Sequence, residues 1–463
     1  MPSELREALT AAGASALVPK IISPLLLEYQ RRYSPLVRSI PQIKWDSDEY
    51  YFNQRTQVAS GGFVPDGGAR PVSTSTYVQT SFQMKHVQAV GAVTGYAQEV
   101  TRQIISDLRR TEIQGAIRGY YWDIETGLLW GNAAATAGQA QPQFDGLDSL
   151  VSSFDSSGGF QNAVDQGGAS LTLAMLDQLI DLVETNAAMP VFDSTWQIIL
   201  SNTAMSKVAQ LLTNQQRFND RVQVAAGLLV PTYRDIPLIK TSFLSSRSFQ
   251  MSVVTPSTGS TGGSLPASTT YRYVMTAIMA RQGEILPCAE VSQATGTGAT
   301  NTVILSFTPP TGLEGAAPIG YKVYRTVGGG GAGTETFLGY VDATVGLSSD
   351  GVTPIITNQI VDTGTALVPQ NATGPVAPSP LPATYFGTNA LMKPPAAGEE
   401  NIYLISRDRN FVVRPYVREA TPLNVYPTTA SPDSLPYAVI GDTCLALRAP
   451  KYTGRLARVT VGL

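Results

Sequence analysis

Gly95-Tyr-Ala-Gln-Glu-Val-Thr-Arg-Gln-Ile-Ile-Ser-Asp-Leu-Arg-Arg-Thr-Glu-Ile-Gln-Gly-Ala-Ile-Arg-Gly-Tyr-Tyr-Trp-Asp-Ile-Glu-Thr126 is the stretch around which the rest of the chain can be organised. Val100, Ile104 and Leu108 recur every four residues. Ile113, Ile117, Tyr120 and Ile124 continue on a slightly rotated face, with Arg102, Arg109, Arg110 and Arg118 between them. That spacing predicts one amphipathic helix over 95–126, with Gly127 as its stop. At 1.5 Å per residue, about thirty residues make a rod of ~45 Å. Gly115 and Gly119 each weaken such a helix by about 1 kcal/mol, so a bend or a close packing contact is expected there.

Upstream, 46–93 reads as a long hairpin. One limb is 50–58, and 73–93 alternates on the way back through Val78, Thr80, Phe82, Met84 and His86. The tip, Gly61-Gly-Phe-Val-Pro-Asp-Gly-Gly68, is turn chemistry around a small apolar centre. A two-stranded ribbon of this length is marginal alone in water and needs something to lie on. Residues 1–45 read as an arm, because prolines at 19, 24, 35 and 41 keep resetting the backbone. Its apolar residues pack either on another subunit or on the chain's own core.

Downstream, Leu173, Leu176, Leu179, Ile180 and Val183 predict a helix over 171–184. Thr195-Trp-Gln-Ile-Ile-Leu200 predicts a strand, and Ser201-Asn202 caps a third helix carrying Met205, Val208, Leu211 and Leu212. Residues 230–240 predict a strand pair. Helices and strands alternate without a βαβ period, so the class is α+β.

Composition changes near 250. From there to 384 the chain is rich in Gly, Ser, Thr and Pro, and its basic residues are Arg272, Arg281, Lys322 and Arg325. Short strands are expected at 249–254, 271–278, 289–293, 302–307, 321–327, 337–341 and 356–361. Seven short strands with turns between them predict an all-β, immunoglobulin-like sandwich. Tyr271-Arg-Tyr-Val-Met-Thr-Ala-Ile, Val303-Ile-Leu-Ser-Phe and Gly320-Tyr-Lys-Val-Tyr-Arg resemble fibronectin type III domains. After a linker at 375–382 the α+β style returns, with strands expected at 401–406, 410–417 and, finally, 443–448. The sandwich therefore reads as an insertion that splits a parent fold.

Overall composition narrows the function. The 463 residues carry Lys+Arg 32 against Asp+Glu 35, a net charge of -3, and only 14% charged residues, against ~25% in an average soluble domain. A basic nucleic-acid footprint is absent at chain level. His86 is the one histidine, and Cys288 and Cys444 are the two cysteines. No catalytic triad and no multi-histidine metal site can be built from one imidazole. The expectation is no enzyme, no catalytic residues, no cofactor and no metal. The cysteines fall in different predicted domains, which suits reduced thiols. The apolar run 17–27 is interrupted by Pro19, Lys20 and Pro24, and Glu4 and Glu7 precede it, so neither a membrane span nor a secretory signal is expected.

Formal motif matches reduce to structure. Gly328-Gly-Gly-Gly-Gly-Ala-Gly-Thr fits G-x-G-x-x-G, but strands are predicted on both sides where a dinucleotide site needs a following helix. Asp177 and Asp181, one turn apart, read as a solvated helix edge. His86 reads as one more alternating residue of the ribbon.

The order of parts then carries a resemblance. An arm with Leu17-Val-Pro and Ile22-Ser-Pro-Leu-Leu-Leu-Glu28 leads into a ribbon and a long helix. Trp196-Gln-Ile-Ile-Leu-Ser-Asn-Thr-Ala-Met-Ser-Lys-Val208 and Arg234-Asp-Ile-Pro-Leu-Ile239 follow. This arrangement resembles major capsid proteins of tailed bacteriophages, with the Hong Kong 97-type fold. The resemblance implies an N-terminal arm (1–45), an extended hairpin loop (46–93), and a spine helix with peripheral domain (94–170). It further implies a first axial part (171–249), the insertion (250–384), and a return to the axial and peripheral parts (385–463).

It also implies a structural protein of the virion capsid, made in the host cytoplasm. Copies would form hexamers and pentamers of an icosahedral or prolate head enclosing double-stranded DNA without sequence-specific binding or a membrane. An arm starting so near Met1 suggests a separate scaffold protein, beside a portal and a decoration protein. Covalent cross-linking through a ribbon lysine is not expected, since Lys85 at the ribbon's base is the first lysine after Lys44. Candidate inter-subunit contacts are Arg55, Phe63, Val64, Pro65 and Arg70 on the ribbon, and Arg109 and Arg110 on the helix. The insertion is expected to fold independently and to be displayed on the exterior, detachable without loss of assembly. The competing reading of the same shape is an encapsulin-like compartment.

Overall fold

A computed structural model describes residues 34–69, 72–102, 107–136, 139, 141–151, 161–192, 195–214, 221–225, 228–312, 315–349, 353–371, 393–424 and 433–462. Most of the arm, Arg70 and the 375–382 linker lie outside the described residues. In chain order the elements are α1 (Pro35–Ser39), β1 (Gln42–Lys44), β2 (Glu49–Gln57), β3 (Thr76–Gln83), β4 (Lys85–Thr94), α2 (Gly95–Thr101), α3 (Leu108–Trp130) and α4 (Leu147–Leu150). Then come β5 (Ala163–Asp165), α5 (Leu173–Ala187), β6 (Trp196–Leu200), α6 (Asn202–Asn214), β7 (Arg221–Ala225), β8 (Leu228–Tyr233), β9 (Ile236–Lys240) and β10 (Ser245–Gln250). The middle of the chain adds β11 (Val254–Gly259), β12 (Thr270–Met279), β13 (Gly283–Leu286), β14 (Val291–Ala294), β15 (Thr302–Phe307) and β16 (Pro318–Arg325). It continues through β17 (Thr336–Asp342), β18 (Thr344–Leu347), β19 (Pro354–Asp362) and β20 (Leu367–Asn371). The last strands are β21 (Glu399–Ser406), β22 (Val412–Asn424), β23 (Ser434–Thr443), β24 (Ala446–Leu447) and β25 (Thr453–Thr460).

The described residues fall into two compact units. The smaller comprises 89–118 and 422–439, and the larger 34–88, 119–421 and 440–462.

In the smaller unit, Thr94 caps α2 by accepting the Ala97 N–H at 3.2 Å. The Tyr437 ring lies against Gly91, where an added Cβ would sit 2.4 Å from its hydroxyl oxygen. The single helix expected over 95–126 is instead two, α2 and α3. Asp107 is non-helical, and its carboxylate accepts the Arg110 N–H at 3.0 Å, a cap that starts a new helix. At Gly115 and Gly119 an added Cβ would meet nothing within 4 Å, so the expected close contact is absent.

In the larger unit α3 continues past Gly127, which is not a stop. The Phe144 ring packs where the glycine lacks a side chain, 2.9 Å from an added Cβ. The central sheet has the order β5-β25-β21-β6-β9-β8-β7. Helix α5 buries Leu173, Leu176, Leu179, Ile180 and Val183 in the same core as Trp196, Ile198 and Leu200 of β6, as their spacing predicts. Ser201 caps α6 through the Ala204 N–H at 3.0 Å. Between β8 and β9, Arg234 and Asp235 both take positive φ (49° and 63°), the geometry of a two-residue hairpin turn.

The ribbon is β2 paired antiparallel with β3, from Glu49↔Gln83 to Gln57↔Thr76. It ends at 83 rather than 93. Buried Met84 donates its N–H to the Asp48 carbonyl at 2.8 Å, and the chain leaves into β4.

Residues 254–371 form strands of two facing sheets. One has the order β10-β13-β12-β16-β17 with β14 on β12, the other β11-β15-β19-β18 with β20 on β19. Phe307 and Tyr321 meet edge-on between the sheets at 4.7 Å. Tyr273 donates its hydroxyl across to Asp362 at 2.8 Å. The strand expected at 249–254 is the end of β10 and the start of β11, with 251–253 between them outside any strand. The Gly328–331 run is a loop between the paired strands β16 and β17. Both cysteines are buried and free.

The chain leaves the central sheet after β9 and re-enters it at β21, and β6 lies between these two strands. The C-terminal strand is β25, not 443–448, which holds the last residue of β23 and the two-residue β24.

Candidate functional site

Among the described residues, little covers most of the ribbon. Tyr51, Val58, Val72, Tyr77 and Val78 are exposed along it, and Phe63 and Val64 at the tip. Arg55 and Pro65 are exposed as well. The tip is ordered by its own backbone and serines. Gly68 donates its N–H to the Pro65 carbonyl at 2.8 Å. The Ser73 and Ser75 hydroxyl oxygens accept the N–H groups of Ser60 (2.9 Å) and Ala59 (3.2 Å). The tip thus presents a fully exposed phenyl ring on a loop shaped by its own hydrogen bonds.

The root is fixed firmly. Tyr50 is fully buried and meets Trp45 edge-on at 4.8 Å, while Phe52 stacks on Phe82 at 6.0 Å. The Arg448 guanidinium sits over the rings of Tyr50 (5.1 Å) and Phe52 (5.9 Å), and the Gln54 side-chain amide donates to the Arg448 carbonyl. Arg448→Ala is expected to loosen the root by about 1–2 kcal/mol, the range of a desolvated cation–π contact. Hydrogen exchange checks it: amides of β2 and β3 should lose protection while those of β6 keep theirs.

Of the helix candidates, Arg110 is exposed, whereas Arg109 donates to the Pro436 carbonyl at 3.0 Å within the smaller unit. The end of the arm lies on its own chain: Leu36, Val37 and Ile40 of α1 and its cap are buried. The sequence did not single out Glu125, which anchors them. Its carboxylate accepts the N–H groups of Leu36 (3.2 Å) and Val37 (3.0 Å) and the hydroxyl of Thr241 (3.1 Å). Burial pushes this carboxyl up to about 7, against the three hydrogen bonds that favour its charged form.

Of the residues weighed for chemistry, His86 and Asp177 are held in ion pairs and hydrogen bonds. His86 Nδ1 lies 2.7 Å from Asp442, whose other oxygen accepts Arg418 Nε at 2.5 Å. Burial raises the Asp442 carboxyl, but the Arg418 and His86 hydrogen bonds outweigh it and hold the group below its usual range. Asp177 is not a solvated edge: it accepts the Tyr233 hydroxyl at 2.6 Å and pairs with Arg234 at 3.1 Å. Among the described residues no group of three or more His, Cys, Asp or Glu could hold a metal, and no helix is long and apolar enough to cross a membrane.

Residues 38–249 match the family model of the SU10 major capsid protein. That stretch takes in the ribbon, α2, α3, α5, β6, α6 and the β7–β9 hairpins. Solved structures with similar folds include Mycobacterium phage Bobi (9% identity, 97% of this chain and 99% of that chain, TM-score 0.47). Others are the capsid of Myoviridae phage XM1 (9%, 96% and 98%, 0.45) and the SrpI encapsulin of Synechococcus elongatus PCC 7942 (11%, 99% and 98%, 0.42). No curated protein matches the sequence. The ribbon, α2, α3, α5, β6, α6 and β7–β9 all lie inside the matched stretch, so it is this part of the chain, residues 38–249 of 463, that is similar to the SU10 major capsid protein.

Proposed function

We propose that copies of this chain form the hexamers and pentamers of an icosahedral or prolate head around double-stranded DNA. The uncovered ribbon carries this reading. Its root is locked into the subunit, while Tyr51, Val58, Phe63, Val72 and Tyr77 stay exposed. A neighbouring copy supplies their cover, with Arg55, Phe63, Val64, Pro65, Arg70 and Arg110 at the contact. Arg109 is engaged with Pro436 within the smaller unit. Assembly uses a separate scaffold protein, a portal and a decoration protein. The chain's role is mechanical, with no catalytic step. Residues 250–384 are an inserted immunoglobulin-like domain on the exterior, where bulk does not compete with packaged DNA for volume.

The near-zero charge sets how the lining treats DNA. With 32 basic and 35 acidic residues, the subunit is expected to bind duplex DNA weakly and with a shallow salt dependence, which lets the genome slide. Sub-micromolar affinity near 0.15 M salt with a steep slope would contradict this. Purified particles should show nucleic-acid absorbance, with 260 nm exceeding 280 nm, and rings of five and six subunits by electron microscopy. Particles filled with protein alone would favour the cargo compartment. The family match, being to a capsid protein, favours the virion.

A further inference from the structure

The sandwich and the central sheet share a buried charged cluster. Lys322 of β16 is 7% exposed at its side chain. Its ammonium lies 3.1 Å from Asp148 of α4 and 3.5 Å from Glu284 of β13, and 5.1 Å from the centre of the Trp130 ring. Asp148 in turn takes Arg455 of β25 at 3.0 Å, and Arg455 is 3% exposed. Glu284, also 3% exposed, accepts the Thr276 hydroxyl at 2.7 Å. Two cations and two anions thus balance across elements from both sides of the chain's detour. Burial alone would raise the Asp148 carboxyl, but Lys322 and Arg455 overcome it and hold it below its usual range.

The same seam has a close backbone approach. Gly283 takes φ +78°, and an added Cβ there would lie 2.6 Å from the Leu244 carbonyl oxygen. Nearby, Arg281 stacks over Trp122 at 5.0 Å.

We propose that residues 254–371 are a built-in brace of the capsid subunit, locked to the parent fold through the Lys322–Asp148–Arg455–Glu284 cluster, and that both fold as one cooperative unit. A buried charge needs its partners: removing one strands the others away from water, which costs far more than losing a surface pair. Lys322 is therefore not a residue of a detachable module. Its partner Asp148 belongs to the parent fold, and so does the Trp130 face that it covers. This replaces the expectation that the insertion can be cut out freely. It is compatible with an outward-facing surface, and it does not depend on the geometry of the shell.

The full-length chain tests it without any variant. Hydrogen-exchange mass spectrometry along a denaturant series should show β15 and β19 losing protection at the same concentration as β21 and β25. Lys322→Met should shift all four strands together, with about a hundredfold or greater loss in the folded-to-unfolded ratio, and Lys322→Arg should recover part of that loss. Two separate transitions in the wild-type chain would overturn the proposal. So would a Lys322→Met shift confined to β15 and β19. Should Lys322→Met fail to fold, the wild-type transitions decide alone.

Discussion

Deleting residues 58–72 is expected to leave soluble monomers or capsomers that do not close into shells. The cut removes the exposed apolar groups Val58, Phe63, Val64 and Val72, and leaves β2 and β3 paired up to Gln57↔Thr76. Buried Tyr50, the Phe52–Phe82 stack and the Arg448 clamp all lie below the cut. The subunit should therefore keep its fold and its circular dichroism. What it loses is adhesion. Covering one large apolar side chain stabilises a contact by roughly 1.5–3 kcal/mol, and a shell repeats that contact at every subunit, so removing several should abolish closure. Phe63→Ala alone should raise the concentration needed for assembly by about tenfold, the equivalent of ~1.4 kcal/mol per contact. Sedimentation and electron microscopy read both outcomes. Shells of normal size and yield from the deletion variant would remove the ribbon from the assembly mechanism.

How much of this was legible beforehand depended on whether burial followed a period. Helix α5 was readable because its buried residues are all apolar and fall at regular spacing, and strand β6 because, Gln197 apart, its buried residues are a run of large apolar side chains. Strand β25, Thr453-Gly-Arg-Leu-Ala-Arg-Val-Thr460, was missed because two of its buried positions are arginines. Arg455 is neutralised by Asp148 and Arg458 by Asp165, at 3.0 and 2.8 Å, partners some three hundred residues away in sequence. No local pattern encodes such a pairing. The same blindness hid Glu125, which in the helix reads as one more polar residue between Ile124 and Thr126. It also hid Lys322, one of four basic residues between 250 and 384, with nothing local to mark its burial. The break at Asp107 went unread for the opposite reason, since the apolar period runs across it unchanged. On the ribbon, composition was enough: glycines and a proline around Phe63 and Val64 mark a tip whose apolar residues have no local partner.

Two of these hidden carboxyls give the fold a pH dependence with a definite sign. Burial pushes Glu125 up to about 7, and it pushes Asp342 of β17 up to about 7 against backbone hydrogen bonds from Thr344 and Ala343. In the unfolded chain both ionise near their ordinary values of about 4. Between there and pH 7 the folded state holds protons that the unfolded state has released, so stability falls as pH rises through this window. The contribution is complete below about pH 4 and gone above about pH 7. Each group accounts for on the order of 3–4 kcal/mol across it. Asp148 and Asp442, held below the usual range by their cationic partners, act the other way: their stabilisation is lost as pH falls through the ordinary carboxylate range and below. The melting temperature should therefore peak near pH 5 and decline towards pH 8. Glu125→Gln removes the charge and keeps an acceptor for the Val37 N–H and an amide to donate to Thr241, but that amide faces the Leu36 N–H, which loses its acceptor at every pH. It should therefore flatten that decline. Glu125→Ala leaves the N–H groups of Leu36 and Val37 unpaired in a buried site, and should lower it by the equivalent of about 2–4 kcal/mol at every pH. A wild-type melting temperature that rises from pH 5 to pH 8, or a Glu125→Gln profile parallel to it, would show that this carboxylate is charged in the fold and that its three hydrogen bonds outweigh burial.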